Sequence, residues 1–210
     1  MNWEVNRVAN WYNKFRRVYC DEKLELSMVG LTMPITVFRV CRMKYYNGRN
    51  GDECIGGGEY IAQHGFGGEI FNFRPFEGYM FGYVQPPGRG DYNARKIQIE
   101  KLGAARKVSF IDGVTVVWVA RKPNVGGTYV VGWYDGATVF REWHEPPQGS
   151  NRTYNNEPLG YYAKAKQKNC VLLPVEKRTF QILRGKSCMG QANISYPGAI
   201  FEQQLMRFID

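Results

Sequence analysis

The spacing of hydrophobic and polar positions changes along the chain. Near the N-terminus Val8, Trp11 and Phe15 recur every three to four residues, which is the period of a helix with one buried face. From Pro34 onward the hydrophobic residues form short runs rich in β-branched and aromatic side chains, separated by Gly, Pro, Asn and Asp. Such runs are typical of strands joined by turns. The pattern therefore predicts a helix over residues 3–19, followed by a β-rich region.

Seven runs have the composition of strands, and the tail returns to a helical period. Phe201, Leu205 and Phe208 fall on one helical face shortly after Pro197, which predicts a C-terminal helix. The predicted strands are ITVFRVCRM, YMFGYV, KIQIEKL, VTVVWVA, TYVVGWY, ATVFREW and TFQIL. We expect an α+β fold: a strongly bent, mostly antiparallel sheet or small barrel, flanked by helices near both termini.

The domain organisation follows from the same pattern. We predict a single domain over residues 1–210, with a helical extension at 1–30, a β-rich core at 34–196 and a terminal helix at 197–210. The alternative is two small α+β halves divided near residues 100–112.

The charge balance favours a polyanionic partner. The formal net charge is +9, and residues 160–186 contain seven Lys or Arg against a single acid. A basic stretch of this kind indicates nucleic-acid binding. The alternative is an ordinary solvated surface.

The cysteines and histidines give no sign of a cofactor. Cys20, Cys41, Cys54, Cys170 and Cys188 are odd in number and widely spaced, so we expect them to be reduced and to pack as small hydrophobes. The two histidines fall in no metal-ligand motif, and we predict no metal and no other cofactor. No apolar run is long enough to span a membrane, and the N-terminus lacks the apolar block of a signal peptide, so we expect a cytoplasmic protein with no membrane partner.

A group of aromatic residues around one turn signal suggests a ligand site. We interpret Asp135-Gly136 as a tight hairpin turn, with Gly126, Gly127 and Gly132 allowing turns or a close approach of backbones. A flat aromatic wall can hold a nucleobase, since stacking on an aromatic ring contributes about 1 to 3 kcal/mol per base. The aromatic residues predicted to converge into this base pocket are Trp118, Trp133, Tyr134 and Trp143. The alternative is an ordinary hairpin core.

A glycine-rich stretch is the second part of the predicted pocket. HGFGGEIFNF offers carboxyl and amide groups able to bond the edge of a base, and its candidate residues are Glu69, Phe71, Asn72 and Phe73. The alternative is a structured loop in which Asn72 caps its own backbone.

Ten basic side chains are candidates for contacts with DNA phosphates. They are Arg74, Arg89, Arg95, Lys96, Arg121, Lys122, Arg141, Lys164, Lys166 and Arg178.

The succession GGGEYIAQHGFGGEIFNFRP, VVWVARKP, GGTYVVGWYDGATVFR and MGQANISYP resembles the N-terminal recognition module of bacterial HNH-nuclease proteins that restrict modified DNA. The similarity covers about residues 36–198. More distantly, VVGWYDGATV is similar to the PUA-like superfamily of the EVE and YTH domains, small twisted barrels that take a modified base into an aromatic pocket. The resemblance implies recognition of a modified base flipped out of DNA.

The catalytic part of that family is not found in the sequence. No HNH motif follows MGQANISYP, so no catalytic residue is predicted, and we expect the nuclease to be a partner subunit or a domain of a longer chain. Two other function classes stay open. One is a stand-alone nuclease that uses Asp112, Asp135 and Glu142, and the other is a protein-interaction module whose basic face is incidental.

Overall fold

The structure, a computed structural model, describes residues 33–88, 91, 94–183, 185 and 188–209. The predicted helix over residues 3–19 and Arg89 lie outside this part of the chain. The described residues form an α+β fold with one large sheet and two α-helices, α1 (Glu59–His64) and α2 (Ala199–Ile209). The C-terminal helix is confirmed, with Phe201 and Leu205 on its buried face.

Eleven strands are present in the described residues. They are β1 (Ile35–Val40), β2 (Pro75–Phe76), β3 (Tyr79–Gly82), β4 (Phe110–Arg121), β5 (Thr128–His144), β6 (Thr153–Tyr154), β7 (Glu157–Pro158), β8 (Tyr161–Lys166), β9 (Cys170–Leu172), β10 (Gln181–Ile182) and β11 (Ile194–Ser195). Four short 3-10 helices cover Gly68–Phe71, Ile99–Leu102, Gln167–Asn169 and Val175–Lys177. The stretch KIQIEKL, predicted as a strand, contains the second of these, because Ile99 and Leu102 are both buried at the three-residue spacing of a 3-10 helix.

Nine of the strands form one open sheet in the order β11-β1-β4-β5-β8-β3-β2, with β9 and β10 also pairing with β5. The pair β1 and β4 is parallel, and the other strand pairs of this sheet are antiparallel. The sheet does not close on itself. Strands β6 and β7 form a separate two-stranded sheet.

The predicted hairpin at Asp135-Gly136 is wrong. Strand β5 runs through both residues without a break, and Tyr134 and Ala137 lie in the same hydrophobic core although they are three positions apart. One extra residue is therefore inserted here, and Gly136 adopts a φ of +60°, as expected for a β-bulge. The true turn between β4 and β5 contains Gly126 and Gly127, both at positive φ.

The sheet has a hydrophobic core on each face. We call the face that carries the larger core the inner face; it includes Phe38, Val116, Trp118 and Tyr134. The opposite, outer face carries a smaller core in which Val37, Val117, Val119 and Trp133 pack with residues of α2. Adjacent strand residues point to opposite faces, so each of the central strands supplies both cores.

The prediction that all cysteines are reduced is wrong for one pair. Cys41, directly after β1, forms a disulfide with Cys54, and their Cα atoms are 5.5 Å apart. The pairing follows from the backbone, because Arg42 and Ile55 exchange two hydrogen bonds of 2.8 and 2.9 Å and align the two segments. Cys170 and Cys188 are free. Neither α1 nor α2, the α-helices of the described residues, has the length and apolar character of a membrane-spanning helix.

Candidate functional site

Two of the four predicted pocket aromatics are buried in the inner core. Trp118 and Tyr134 are both 0% exposed, and their ring centroids lie 5.1 Å apart in an edge-to-face arrangement. Phe38 packs on the other side of Trp118 at 5.3 Å, and Phe73 lies 5.4 Å from Tyr134. These rings stabilise the fold, and they present no face to solvent.

Of the other two predicted pocket aromatics, Trp133 lies on the opposite face of the sheet and Trp143 packs against the inner core. Trp133 neighbours Tyr134 in the strand and therefore points to the outer face, where its ring contacts Phe208 of α2 at 6.3 Å. Trp143 packs against the backbone of Gly160, at which a Cβ would collide with the indole ring. The structure therefore does not bring Trp118, Trp133, Tyr134 and Trp143 to one site.

Asn72 is held by the backbone of Tyr83, the residue that follows β3. Its side-chain amide donates to Tyr83 O at 2.9 Å and accepts from Tyr83 N at 2.8 Å, and Tyr134 Oη donates to the Asn72 carbonyl. The alternative interpretation of Asn72 as a backbone cap is therefore nearer to the structure, although the backbone belongs to another segment. The amide edge is not available to a base in this conformation.

Glu69 and the neighbouring phenylalanines are also internal. The Glu69 carboxylate is 8% exposed and accepts a hydrogen bond from Cys41 N at 3.1 Å, and burial raises the pKa of its carboxyl group. Phe71 and Phe73 are buried, and Phe71 lies under the guanidinium of Arg74 at 5.1 Å.

A different group of aromatic side chains reaches the surface, on the outer face beyond α2. Residues opposite one another in neighbouring strands share a face, and the register pairs Phe110 with Phe140, Phe81 with Lys164, and Tyr79 with Lys166. The residues on the other side of β3 and β8, including Met80 and Ala165, belong to the inner core. We name the outward-facing ring residues the outer aromatic strip; they are Tyr79, Phe81, Phe110, Phe140, His144 and Tyr161.

The rings of the outer aromatic strip form a continuous series of contacts. Tyr161 is central, with centroid distances of 4.9 Å to Phe81, 5.7 Å to Phe140 and 5.6 Å to His144. Phe110 extends the series at 6.2 Å from Phe140 and is 47% exposed. Only Phe81 is buried among the six. The strip therefore offers ring surface to solvent along three neighbouring strands and the start of β4.

Lysine side chains border this strip. Lys164 Nζ lies 4.1 Å from the centroid of Tyr79 and 5.6 Å from that of Phe81, within the range of a cation–π interaction. Lys166 is exposed and pairs with Tyr79 in the sheet. Lys96 Nζ forms an ion pair of 2.6 Å with Glu142, on the same strand as Phe140 and His144.

Two of the predicted phosphate ligands are used inside the fold. Arg178 is buried and donates to the carbonyl oxygens of Leu173, Met43 and Lys44 at 2.9, 2.6 and 2.7 Å. Arg141 donates to Glu100 at 2.5 Å and to Val108 O at 2.9 Å. In this structure Arg178 is a structural residue, and its prediction as a phosphate ligand is corrected.

The remaining predicted phosphate ligands are dispersed. Arg121 is exposed at the end of β4, and Lys122 Nζ lies 5.6 Å from the Tyr129 ring. Arg74 donates to Asn151 O at 3.2 Å, and Arg95 donates to Pro86 O at 3.5 Å. Of these candidates, Lys164 and Lys166 lie beside a series of partly exposed rings, whereas Lys122 lies beside Tyr129 alone.

A polar groove lies next to Lys96. Its volume is about 420 Å³, and Lys96, Gln98, Lys101 and Tyr196 contribute to its walls. Lys101 Nζ lies 5.0 Å from the Tyr196 centroid, and burial raises the pKa of Tyr196 to about 12. The groove is therefore lined by two lysine side chains, one of them paired with Glu142, and by a phenol that burial keeps protonated.

The three carboxylates of the nuclease alternative do not form a cluster. Asp112 accepts from Thr138 Oγ1 at 2.5 Å, Asp135 from Thr115 Oγ1 at 3.2 Å, and Glu142 binds Lys96. Within the described ranges, the one group of three metal-ligating side chains with ligand atoms close together is Cys41, Cys54 and Glu69.

The sequence contains a signal for the outer aromatic strip in two of its strands. In YMF and YYAKAK rings or lysines alternate with small or buried residues, and two such strands side by side place the rings and the cations on one face. Strand register decides whether they meet, and no single-strand pattern fixes that register.

The chain matches no protein-family model, no curated protein and no solved structure.

Proposed function

We propose that this protein is a DNA-binding module that holds an unstacked base on the outer aromatic strip, with lysines at the border of the strip binding the adjoining phosphates. The observation that carries the proposal is the placement of Lys164 over Tyr79 and Phe81, within a series of partly exposed rings. Proteins that bind single-stranded nucleic acid combine the same two elements, namely aromatic rings for the bases and cations for the backbone.

The shape of the strip favours a base over a peptide or an aliphatic ligand. Tyr161, Phe140 and Phe110 expose ring surface on a sheet, and every base has a π-face that can stack on such a surface. In a duplex both faces of a base are covered by its neighbours, so a base must leave the stack before it can lie on the strip. A flipped base or a single strand fits this requirement.

The charges support the same assignment. Lys164 and Lys166 stand beside the strip, whereas Lys96 is paired with Glu142, so Lys164 and Lys166 are the cations that a backbone crossing the strip would meet. Phosphate contacts of this kind give affinity for any sequence and release counterions on binding. The net charge of +9 adds long-range attraction for a polyanion.

Recognition of a modified base, as part of a restriction system, belongs to the same proposal. The resemblance to modification-dependent restriction proteins and to PUA-like domains supports it. The proposed nuclease partner follows from the resemblance alone.

The test is a binding panel measured by fluorescence anisotropy. Identical duplexes and single strands carry cytosine, 5-methylcytosine, 5-hydroxymethylcytosine or N6-methyladenine at one position, and affinity is measured over a series of salt concentrations. We expect binding that weakens steeply with salt and a preference for one modification. Absence of binding to every strand and duplex at about 50 mM salt would refute the proposal and favour the protein-interaction module.

A charge-matched pair of variants locates the site. Lys164→Gln combined with Lys166→Gln removes two cations beside the strip, whereas Lys177→Gln combined with Lys44→Gln removes two exposed cations near Arg178, away from the strip. Because both double variants change the net charge equally, long-range attraction falls equally in both. A larger loss in the first variant supports the strip, and equal losses contradict it.

A further inference from the structure

A buried group of two sulfurs and one carboxylate lies away from the outer aromatic strip. Cys41, 1% exposed, belongs to the inner core, and Cys54 packs against that core while remaining partly exposed. A carboxylate oxygen of Glu69 and the two Sγ atoms all lie within 4.8 Å of one another. We call these three residues the Cys-Cys-Glu cluster.

Backbone structure holds each member of the cluster in place. The paired hydrogen bonds between Arg42 and Ile55 position the two cysteines, and the 3-10 helix Gly68–Phe71 carries Glu69. The Glu69 carboxylate is oriented by Cys41 N, which donates to it at 3.1 Å. The fold therefore sets the backbone positions of the three residues before any ligand binds, and the disulfide sets the positions of the two sulfurs.

Two glycines make room for the Cys-Cys-Glu cluster, because they carry no Cβ atom. A Cβ on Gly67 would collide with the Glu69 carboxylate, and a Cβ on Gly57 would lie 3.0 Å from Cys41 Cβ. The backbone on both sides therefore approaches the cluster closely and excludes bulk water from Cys41 and Glu69.

The Glu69 carboxylate has no cationic partner among the described residues. Two ion pairs occur in that part of the chain, Lys96–Glu142 and Arg141–Glu100, and neither involves Glu69. A buried carboxyl group takes up a proton, pairs with a cation or coordinates a metal. Glu69 instead has two sulfur atoms as its nearest metal-ligating groups.

From this arrangement we infer that the reduced form of the Cys-Cys-Glu cluster binds a thiophilic divalent cation of the Zn²⁺ class, and that formation of the Cys41–Cys54 disulfide excludes the ion. Zn²⁺ takes thiolate sulfur at about 2.3 Å and carboxylate oxygen at about 2.0 to 2.2 Å. Tetrahedral bonds of those lengths separate the two sulfurs by about 3.8 Å. Opening the disulfide to that separation requires a shift of the side chains only, because the Cα atoms are 5.5 Å apart.

An external dithiol supplies the two electrons that reduce the Cys41–Cys54 disulfide. Its thiolate attacks Cys54 Sγ, the more accessible sulfur, and Cys41 leaves as a thiolate. The second thiol of the reductant then releases Cys54 and closes the reductant's own disulfide, so two electrons pass to the protein. Zn²⁺ binds the two thiolates and the Glu69 carboxylate, and the displaced protons go to solvent. In a reducing compartment the dithiol form predominates.

Three protein ligands leave a fourth position on the ion. Such sites typically bind water or a substrate there, in contrast to structural zinc sites with four protein ligands. Cys54 is the partly exposed member of the cluster, so water or a substrate would reach the ion from its side. The inference is independent of DNA binding by the outer aromatic strip.

The test measures metal content in defined redox states of the full chain. The protein is reduced with a phosphine, which avoids the zinc binding of dithiols, and is then exposed to Zn²⁺ and desalted without oxygen. We expect one Zn²⁺ per chain in the reduced protein and background metal in the oxidised protein, measured by elemental analysis and native mass spectrometry. Equal zinc content in the two states would overturn the inference.

Substitutions separate the cluster from adventitious thiol binding. Cys54→Ser should abolish stoichiometric zinc binding, whereas Cys188→Ser, which removes a free cysteine outside the cluster, should retain it. The reverse result, or loss in both variants, would place the ion elsewhere. In the wild-type chain, bound Zn²⁺ should protect Cys41 and Cys54 from alkylation and should leave Cys188 reactive.

Glu69→Gln tests the carboxylate by itself. The amide keeps the size of the side chain and can still accept from Cys41 N, so the fold is preserved while the anionic ligand is lost. We expect the zinc affinity to fall at least about 10- to 100-fold, the loss that follows even removal of an outer-shell partner. Co²⁺ substituted for Zn²⁺ should lose its tetrahedral absorption spectrum in this variant. An unchanged affinity and spectrum would refute a three-ligand site.

Discussion

The two faces of the same sheet use aromatic residues in opposite ways. On the inner face Trp118 and Tyr134 are fully buried and packed edge to face, and the contacts among the rings leave no room for a ligand. On the outer face Tyr161, Phe140 and Phe110 also contact one another, but these rings remain partly exposed and have lysines at their border. Aromatic content alone therefore does not locate a binding site. The useful signal is an aromatic ring next to an exposed cation.

The largest expected difference between the two faces concerns stability. Trp118→Ala removes a fully buried indole between Phe38 and Tyr134, and such a cavity lowers the free energy of unfolding by about 3 to 5 kcal/mol. Phe110→Ala, at a partly exposed ring, should change it by about 0.5 kcal/mol. Urea unfolding followed by circular dichroism measures both. Similar losses for the two variants would mean that the outer ring is as much a core residue as the inner one.

The second-largest expected effect is a loss of folding stability at alkaline pH, caused by tyrosines of the inner face. Burial raises the pKa of Tyr162 to about 12 and holds that of Tyr134 well above its ordinary value. Because the unfolded chain loses these protons near pH 10 and the folded chain keeps them, their contribution to stability is complete below pH 10 and is lost as pH rises toward 12. A shift of two units corresponds to about 2.7 kcal/mol before solvent screening. Thermal unfolding across this range, with tyrosinate absorbance, measures the loss. Ionisation of these tyrosines without unfolding would contradict their burial.

The outer face should dominate ligand binding. Phe140→Ala removes a ring from the middle of the outer aromatic strip and should weaken DNA binding by about 1 to 3 kcal/mol, the value of one stacked base. The matched control is Ile200→Ala, which removes an exposed apolar side chain from α2. Anisotropy titrations at one salt concentration compare the two. Equal affinities would place the base contact away from the strip.

The smallest expected effect is a change in salt dependence. Lys166 is exposed at the border of the strip, and replacing it by Gln removes at most one phosphate contact. The slope of log affinity against log salt should become less negative by about 0.7 to 0.9, with little change in the preference for a modified base. An unchanged slope would show that Lys166 does not contact a phosphate.

Much of the strand pattern was predictable, because β-branched and aromatic runs are a direct consequence of packing on a pleated surface. The continuity of β5 through Asp135-Gly136 was not predictable. Asp-Gly satisfies the positive φ of a hairpin turn and equally that of a bulge, and the sequence around Asp135-Gly136 does not distinguish them. The predicted pocket failed for a related reason: Trp133 and Tyr134 are adjacent and therefore point to opposite faces.

Pairings between distant segments were beyond the sequence. Cys41 and Cys54 meet because of the bridge between Arg42 and Ile55, which is a tertiary contact. Arg178, which looks like any other cation in a basic stretch, binds carbonyl oxygens more than 130 residues earlier in the chain. In both cases the function of the side chain depends on a neighbour that local periodicity cannot identify.

The position of β1 determines when this chain can complete its fold during synthesis. Strand β1 lies between β4 and β11, with Val37 opposite both Val117 and Ser195, so its second neighbour is translated 158 residues after it. Pairings so distant in sequence make folding slow. Until residue 195 leaves the ribosome, one edge of β1 has unpaired backbone groups and is open to pairing with a strand of another chain. Truncation before β11 would make that exposure permanent.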